Sequence, residues 1–447
     1  MKASTIKYGV LTCTLTLISL IFILLPFHAF LTVWTSSLFG HYTAFRLWKE
    51  VLMALALVGV LYLLFFDRKV RYHTLKRKLT WLIVTYILVQ ILWGLWAWHN
   101  HDVTLKAMLY GVLLNSRFLL FFLLGWAIAV RTERFERRWP KLMLWPAVLV
   151  VLFGLMQVLV LPIDFLRHFG YGPDTIAPYE TINHNVNFLR YMSTLRGANP
   201  LGAYLLIPIS ALVVLLVRFP RSWNWTKGLL LAGSLAMLFF SFSRSAWIGA
   251  IFSILTAVVF ASKPTWWRQH RTALVSGAAA VVVVSIVGVF ALHNNTHFQN
   301  FIFHTQDNSA VAESSNDGHA SALREGLKDL EDDPLGQGPG TAGPASVYNN
   351  HEARIAENYY IQLAQEAGIP GLLLFLAIVA TVAYLLWTRR DTTLALSLLA
   401  ALIGISIVNL LSHAWTDDTL AYIWWGFAGL AIGTPVAAKK VMNEETE

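Results

Sequence analysis

The chain has 447 residues, of which 56% are hydrophobic and 13% charged, with 18 tryptophans and a formal net charge of +9. A composition this apolar excludes a soluble domain of that length. The positive charge then carries no implication of nucleic acid; it is what cytoplasmic loops facing anionic lipid require.

Twelve apolar stretches have the length of bilayer-crossing helices: residues 8–30, 47–66, 79–98, 109–130, 142–161, 201–217, 227–242, 245–261, 273–292, 369–387, 392–411 and 418–437. With Lys2 and Lys7 placed in the cytoplasm, every second connection is basic. Arg68, Lys69, Arg71, Lys76, Arg77 and Lys78 follow the second stretch, and Arg131, Arg134, Arg137, Arg138 and Lys141 the fourth. Arg218, Arg221 and Lys227, then Lys263, Arg268 and Arg271, then Arg389 and Arg390, and finally Lys439 and Lys440 continue the series. This satisfies the positive-inside rule with both termini cytoplasmic in a cell membrane. The first run is too long for a signal peptide and lacks a small-residue cleavage site. The single cysteine, Cys13, lies within it, so no disulfide or cysteine metal site braces the outer loops.

The expected organisation is five transmembrane helices over 1–161, an extracytoplasmic loop over 162–200, four helices over 201–292, a large extracytoplasmic loop over 293–368, and three helices with a cytoplasmic tail over 369–447. Loops of this size usually carry function. In the second loop, His319 to Asp333 places Leu323, Leu327 and Leu330 at i, i+4 and i+7, the pattern of an amphipathic helix at the outer interface. Pro334 ends it, Gly336, Gly338, Gly340 and Gly343 form a glycine-rich turn, and a second helix over about 353–366 runs into the tenth span. The fold class is therefore all-α: a polytopic membrane protein of about twelve transmembrane helices with a helical extracytoplasmic cap and no internal repeat.

Several polar residues have two readings each. Arg117, beside Asn115 and Ser116 in the outer part of the fourth span, is an intramembrane charge, and such charges line cavities or pair with partners. Arg196, in Thr194-Leu-Arg-Gly-Ala-Asn-Pro-Leu-Gly202, belongs to a capping turn or to an anion site. Arg244, in Ser241-Phe-Ser-Arg-Ser-Ala-Trp247, either snorkels to headgroups or joins its serines in gripping a phosphate. Two arginines at helix ends on one face suit a diphosphate better than a sugar. Glu357, with Asn358 beside it, either complements a helix dipole or acts as a general base on a sugar hydroxyl. His319, His351 and His413, the last with Asp417 and Asp418, are solvated loop residues or acceptor and support groups. The glycine-rich turn matches neither a P-loop nor a dinucleotide fingerprint, and no divalent-metal carboxylate cluster is evident outside.

Four runs together resemble the O-antigen ligase and polymerase superfamily: Leu195-Arg-Gly-Ala-Asn-Pro-Leu-Gly202, the Ser-Arg-Ser-Ala-Trp hairpin, Asp333-Pro-Leu-Gly-Gln-Gly-Pro-Gly340, and Glu357-Asn-Tyr-Tyr-Ile-Gln followed by Glu366-Ala-Gly-Ile-Pro-Gly371. The resemblance covers about residues 190 to 430. It implies a metal-independent, cofactor-free membrane glycosyltransferase of the GT-C type, working on the extracytoplasmic face with a polyprenyl-diphosphate-linked glycan as donor and a glycan, lipid or other hydroxyl acceptor. The family's diphosphate-binding arginines map onto Arg196 and Arg244. One departure stands out: related ligases carry a histidine immediately before the asparagine of the last motif, where this chain has Glu357. That leaves polymerases and ligases to other acceptors open. A transporter or flippase of lipid-linked glycans is the competing class, with a noncatalytic scaffold behind it. Transporters concentrate polar groups near the bilayer midplane in inverted repeats, whereas here they gather at the outer helix ends.

Overall fold

The computed structural model describes residues 2–132, 134–182, 185–263, 315–350 and 352–435, with isolated positions between 265 and 295. Among these, nine helices are long and apolar enough to cross a membrane. The first runs from α1 (Lys2–Leu24) through a 3-10 turn at Leu25–Phe27 into α2 (His28–Phe39), beyond the expected 8–30. Short α3 (Tyr42–Arg46) precedes the span α4 (Trp48–Phe66), and α5 (Arg68–Leu75) precedes the spans α6 (Lys78–His99), α7 (Leu105–Ala129) and α8 (Arg134–Leu159). Then come α9 (Ala198–Arg218), α10 (Trp225–Phe240) and α11 (Arg244–Ala261), followed by α12 (Ser315–Asp332), α13 (Tyr359–Thr388), α14 (Thr393–Leu410) and α15 (Asp418–Gly433). At 16 residues, α10 and α15 are shorter than a full crossing. The expected span at 273–292 lies outside the continuously described residues. Tracing the helices puts the connections at 40–47, 100–104, 160–197 and 241–243 on one face, called here the loop face, and the arginine- and lysine-rich connections on the other; 333–358 joins the loop face where Asn349 accepts from Thr104 N–H, and 411–417 where the Ser412 carbonyl accepts from Tyr359 N–H.

The centre of the bundle is built by glycine. A Cβ at Gly125 would lie 2.9 Å from the Gly426 carbonyl oxygen, and one at Gly429 would lie 2.2 Å from that of Phe122, so α7 and α15 pack backbone to backbone. Gly249 and Gly404 join α11 to α14 in the same way. Aromatic rings fill the remaining space, with Phe22 stacked on Phe427 at 4.1 Å and Trp424 edge-on to Trp425 at 5.0 Å. Where Pro26 breaks the first span, the Leu25 and Pro26 carbonyls accept from the hydroxyls of Thr419 (3.1 Å) and Thr194 (2.8 Å). A broken membrane helix is tolerated only with such partners.

Two expectations change. The loop at 162–200 contains an antiparallel hairpin, β1 (Glu180–Ile182) and β2 (Asn185–Arg190), with Glu180 opposite Arg190. The helix expected at 353–366 begins only at Tyr359, because the preceding backbone bonds sideways: Gly343 N–H donates to the Arg354 carbonyl and Arg354 N–H to Ser346 Oγ. The helix expected over His319–Asp333 is α12, which docks on α13 through Gly326, whose Cβ would stand 2.6 Å from Ile361, while Leu323 and Leu327 stay 38% and 46% exposed.

The glycine-rich turn clamps a kink. At Gly368 (φ 69°) α13 bends, and the Gln365 and Glu366 carbonyls accept from the amides of Gln337 and Gly338 at 2.8 Å each. Buried Glu366 holds the turn from the other side, accepting from Gly340 N–H and Asn115 Nδ2, both at 2.7 Å. Packing explains the glycines: Cβ atoms at Gly338 and Gly340 would meet Ala97 and the Ala107 carbonyl at 2.3 and 2.4 Å.

Candidate active site

Beyond β2 the chain is fastened at every step. Tyr191 N–H donates to the Phe240 carbonyl, Ser193 Oγ to the Val150 carbonyl (2.6 Å), Thr194 Oγ1 to the Pro26 carbonyl, and Leu195 is buried. From this anchored stretch Arg196 projects, exposed, into a cavity of about 210 Å³ on the loop face. Glu180 of β1, Asn199 of α9, Glu357, and His413 with Asp417 from the connection between α14 and α15 line the same space. The cavity therefore gathers residues from four distant parts of the sequence.

Glu357 reaches it through a left-handed backbone (φ 54°). A non-glycine residue held there costs roughly 1 kcal/mol or more and persists when its surroundings fix it. They do. Asn358 caps α13 by accepting from Tyr360 N–H (2.9 Å) and Ile361 N–H (3.1 Å), while its Nδ2 donates to the Leu410 carbonyl (2.9 Å). Tyr359 N–H donates to the Ser412 carbonyl. The asparagine's side chain is thus occupied in holding helix ends together, and the glutamate beside it is the group that lines the cavity.

Arg190 escaped the reading of the sequence. Its Nε donates to the Ser241 carbonyl (3.2 Å), its Nη2 to Asn199 Oδ1 (2.5 Å), and its Nη1 lies 3.8 Å from Glu180. Burial draws this guanidinium below its usual range, against the opposing pull of Glu180. It ties β2 to the start of α9 and to the hairpin that carries Arg244. Arg244 is the first residue of α11 and lies within electrostatic range of Arg190. The hairpin touches α9 closely, since a Cβ at Gly202 would meet Ala246 and Ser243 at 2.8 and 2.9 Å. Its serines are engaged locally: Ser241 Oγ donates to the Leu238 carbonyl, Ser243 N–H donates to Ser241 Oγ, and Ser243 Oγ lies 3.4 Å from Ser245 Oγ. The only sequence signal for Arg190 was a further arginine on the outer side that topology does not require.

Arg117 lies apart from the cavity, buried beneath it. Its guanidinium pairs with Glu50 at 3.2 Å and closely with Asp418, and donates to the Thr416 carbonyl at 3.2 Å. Lys49, 1% exposed, reaches Glu50 (3.1 Å) and Asp418 (3.0 Å). His28 completes the cluster: Trp48 Nε1–H donates to its Nδ1 (3.0 Å), which leaves Nε2–H to donate to Asp418 at 3.2 Å. Thr416 and Asp417 line the cavity, so this network is its foundation rather than its surface. Of the three histidines, His413 lines the cavity, His319 falls on α12 with its side chain outside the described set, and His351 lies outside the described residues.

The fold and the cavity together define a multi-pass membrane protein with a polar, cation-bearing site at one end of its helices. Residues 229–376, about a third of the chain, match the family model described as O-antigen ligase, and the chain thus carries a domain of the O-antigen ligase and polymerase superfamily. The matched stretch includes Arg244 and Glu357 and stops short of Arg196, and it supports a membrane glycan ligase or polymerase. No curated protein matches the chain.

Proposed function

We propose that the cavity transfers or polymerises a polyprenyl-diphosphate-linked glycan on the extracytoplasmic face, without a metal. The observation that carries this reading is the meeting of Arg196, Glu357 and His413 in one small cavity, with Arg190 of β2 bonded to the adjoining hairpin that carries Arg244. A lipid diphosphate is an activated leaving group whose developing charge needs cations, and fixed arginines supply them. The acceptor hydroxyl oxygen attacks the anomeric carbon and the bond from that carbon to the phosphate oxygen breaks. The hydroxyl proton passes to Glu357, and the electron pair leaves with the polyprenyl diphosphate towards the arginines. A single displacement inverts the anomeric centre. Arg196 and Arg244 are the donor-binding groups in this scheme, Arg117 supports the wall beneath them, and Asn358 holds Glu357 in place.

The test is transfer by the purified chain from a synthetic polyprenyl-diphosphate sugar in the presence of chelator. Formation of a glycosidic product that disappears in Arg196→Ala is the expected result, and failure of the wild type to turn over any such donor overturns the reading. Orientation is tested separately, with Cys13 replaced: a cysteine at His168 should label with an impermeant thiol reagent in intact cells, and one at His73 should not.

A further inference from the structure

A second and larger cavity, about 670 Å³, opens on the loop face between the end of α6 and the glycine-rich turn. Trp96, Asn100, Asp102, Asp333, Glu352 and Arg354 line it. Its size falls within the roughly 300–1,000 Å³ typical of ligand sites, whereas the cavity of about 210 Å³ at Glu357 has room for little more than the reacting groups.

The larger cavity is preformed. Trp93 Nε1 donates to the Gly336 carbonyl (3.1 Å), Thr341 Oγ1 to the Gly338 carbonyl (2.6 Å), and buried Glu366 holds Gly340 N–H, so its floor is fixed. Asn349 joins its walls, accepting from Thr104 N–H (3.0 Å) and donating to the Gly340 carbonyl (2.7 Å). Trp96 is 49% exposed and stacks on Trp93 with centroids 5.0 Å apart, which sets the indole plane at the cavity edge.

The lining selects a chemistry. Arg354 already donates to Gln337 Oε1 (2.8 Å) and lies 3.7 Å from Asp329. Asp333 likewise accepts from Gln337 Nε2 (2.8 Å), and at the cavity three carboxylates, Asp102, Asp333 and Glu352, outweigh this one arginine, a balance that repels a phosphate. Among the described residues no three His, Cys, Asp or Glu side chains converge to hold a metal ion. An ionised carboxylate only accepts hydrogen bonds, and so calls for a ligand rich in hydroxyl donors. An exposed, fixed indole offers a flat apolar face. A polyhydroxylated ring with an apolar C–H face satisfies both.

Position adds the second argument. The segment from Glu352 to Glu357 is non-helical and carries one residue in each cavity at its two ends. Five residues of extended chain span at most about 17 Å, the length of a few linked sugar rings. We propose that the Trp96 cavity is a glycan-chain subsite, binding uncharged sugar units several positions from the reacting end. The assignment rests on the glycan-transfer reading of the Glu357 cavity, of which it specifies the substrate's extended body.

The probe is the set of free oligosaccharides of several sugar units released by mild acid from the lipid-linked glycans of the cells that make this chain. They carry neither lipid nor diphosphate. Their dissociation constant is measured on the purified full-length protein in detergent. Trp96→Ala should weaken binding roughly three- to tenfold, the loss expected of one aromatic contact; Trp96→Phe should restore part of it, Asp102→Asn should weaken it, and Arg196→Ala should leave it unchanged. Absence of binding by the wild type, equal affinity in Trp96→Ala, or an equal loss in Arg196→Ala overturns the subsite. A wild type that binds these oligosaccharides at Trp96 yet transfers nothing from a lipid diphosphate removes the transfer reading and leaves the subsite standing.

Discussion

The protein holds two clusters of arginines and carboxylates within a few residues of one another, and they do opposite things. Around Arg117 the charges are buried and matched: Glu50 and Asp418 answer Arg117 and Lys49, with His28 donating to Asp418. Around Glu357, Arg196 is exposed and no described carboxylate forms an ion pair with it. The same residue types are therefore a buried, matched tie in one place and the lining of an open cavity in the other. Thr416 and Asp417 join the two, one side of the connection bonded to Arg117 and the other facing the cavity.

This contrast is sharpest if catalysis and stability separate under mutation. The largest effect is expected at Glu357. Glu357→Gln should lower turnover roughly 10²- to 10⁴-fold with donor binding largely intact, because the amide keeps the shape but cannot take the proton. Wild-type turnover in this variant across pH 5 to 8 would remove Glu357 from the chemistry and pass the role of base to His413.

Next is the buried cluster. Asp418→Ala strips one counter-charge from Lys49, Arg117 and His28 together and should cost about 3–5 kcal/mol of stability, the usual consequence of orphaning a buried charge. Arg196→Ala should shift unfolding by no more than about 0.5 kcal/mol, as surface changes do. Unfolding midpoints in detergent measure both, and an unchanged midpoint for Asp418→Ala would erase the distinction between the clusters.

Arg244 comes third. If it grips a diphosphate through its planar fork, Arg244→Lys should be nearly as damaging as Arg244→Ala, each lowering transfer roughly 10²- to 10³-fold. Near-normal transfer by a well-expressed Arg244→Ala would return the residue to the role of a headgroup anchor.

The smallest effect belongs to an ion pair on the opposite face. Asp67 caps α5 and accepts from Arg131 at 2.6 and 2.7 Å. Burial raises its pKa, but the bonds from Arg131 and from the Val70 and Lys69 amides outweigh this and hold the carboxyl below its ordinary range. The stability it contributes is thus complete above the unfolded value of about 3.9 and is lost as pH falls through the lower folded value. Asp67→Asn keeps the cap, so the difference from wild type should be at most about 1 kcal/mol near neutrality and vanish in acid. A difference that persists below pH 3 would show that the cap, not the charge, is what matters.

Much of this was legible in one dimension. Hydrophobic run length and the alternation of basic connections define the helices and the two faces, because lipid forces every backbone polar group to be satisfied within its own helix. The outlying arginines at 196 and 244 stood out because topology gave no reason for them. The capping role of Asn358 was not legible, because nothing in the sequence shows that the orphan amides of Tyr360 and Ile361 claim its oxygen. Arg190 was missed because a two-stranded hairpin within a polar loop has almost no periodic signal.

By itself the sequence determined what the bilayer imposes: which stretches are helical, which face is basic, and which charges are left over. Only the tertiary structure decided which leftover charges meet each other and which meet an open cavity. Asp418 lies hundreds of residues from Lys49, Glu50 and Arg117, and the network these four form depends on how α4, α7 and α15 are brought together by glycine contacts such as Gly125 against Gly426. Burial makes an unmatched charge expensive over distances of a few ångströms, and no spacing along the chain records distances of that kind.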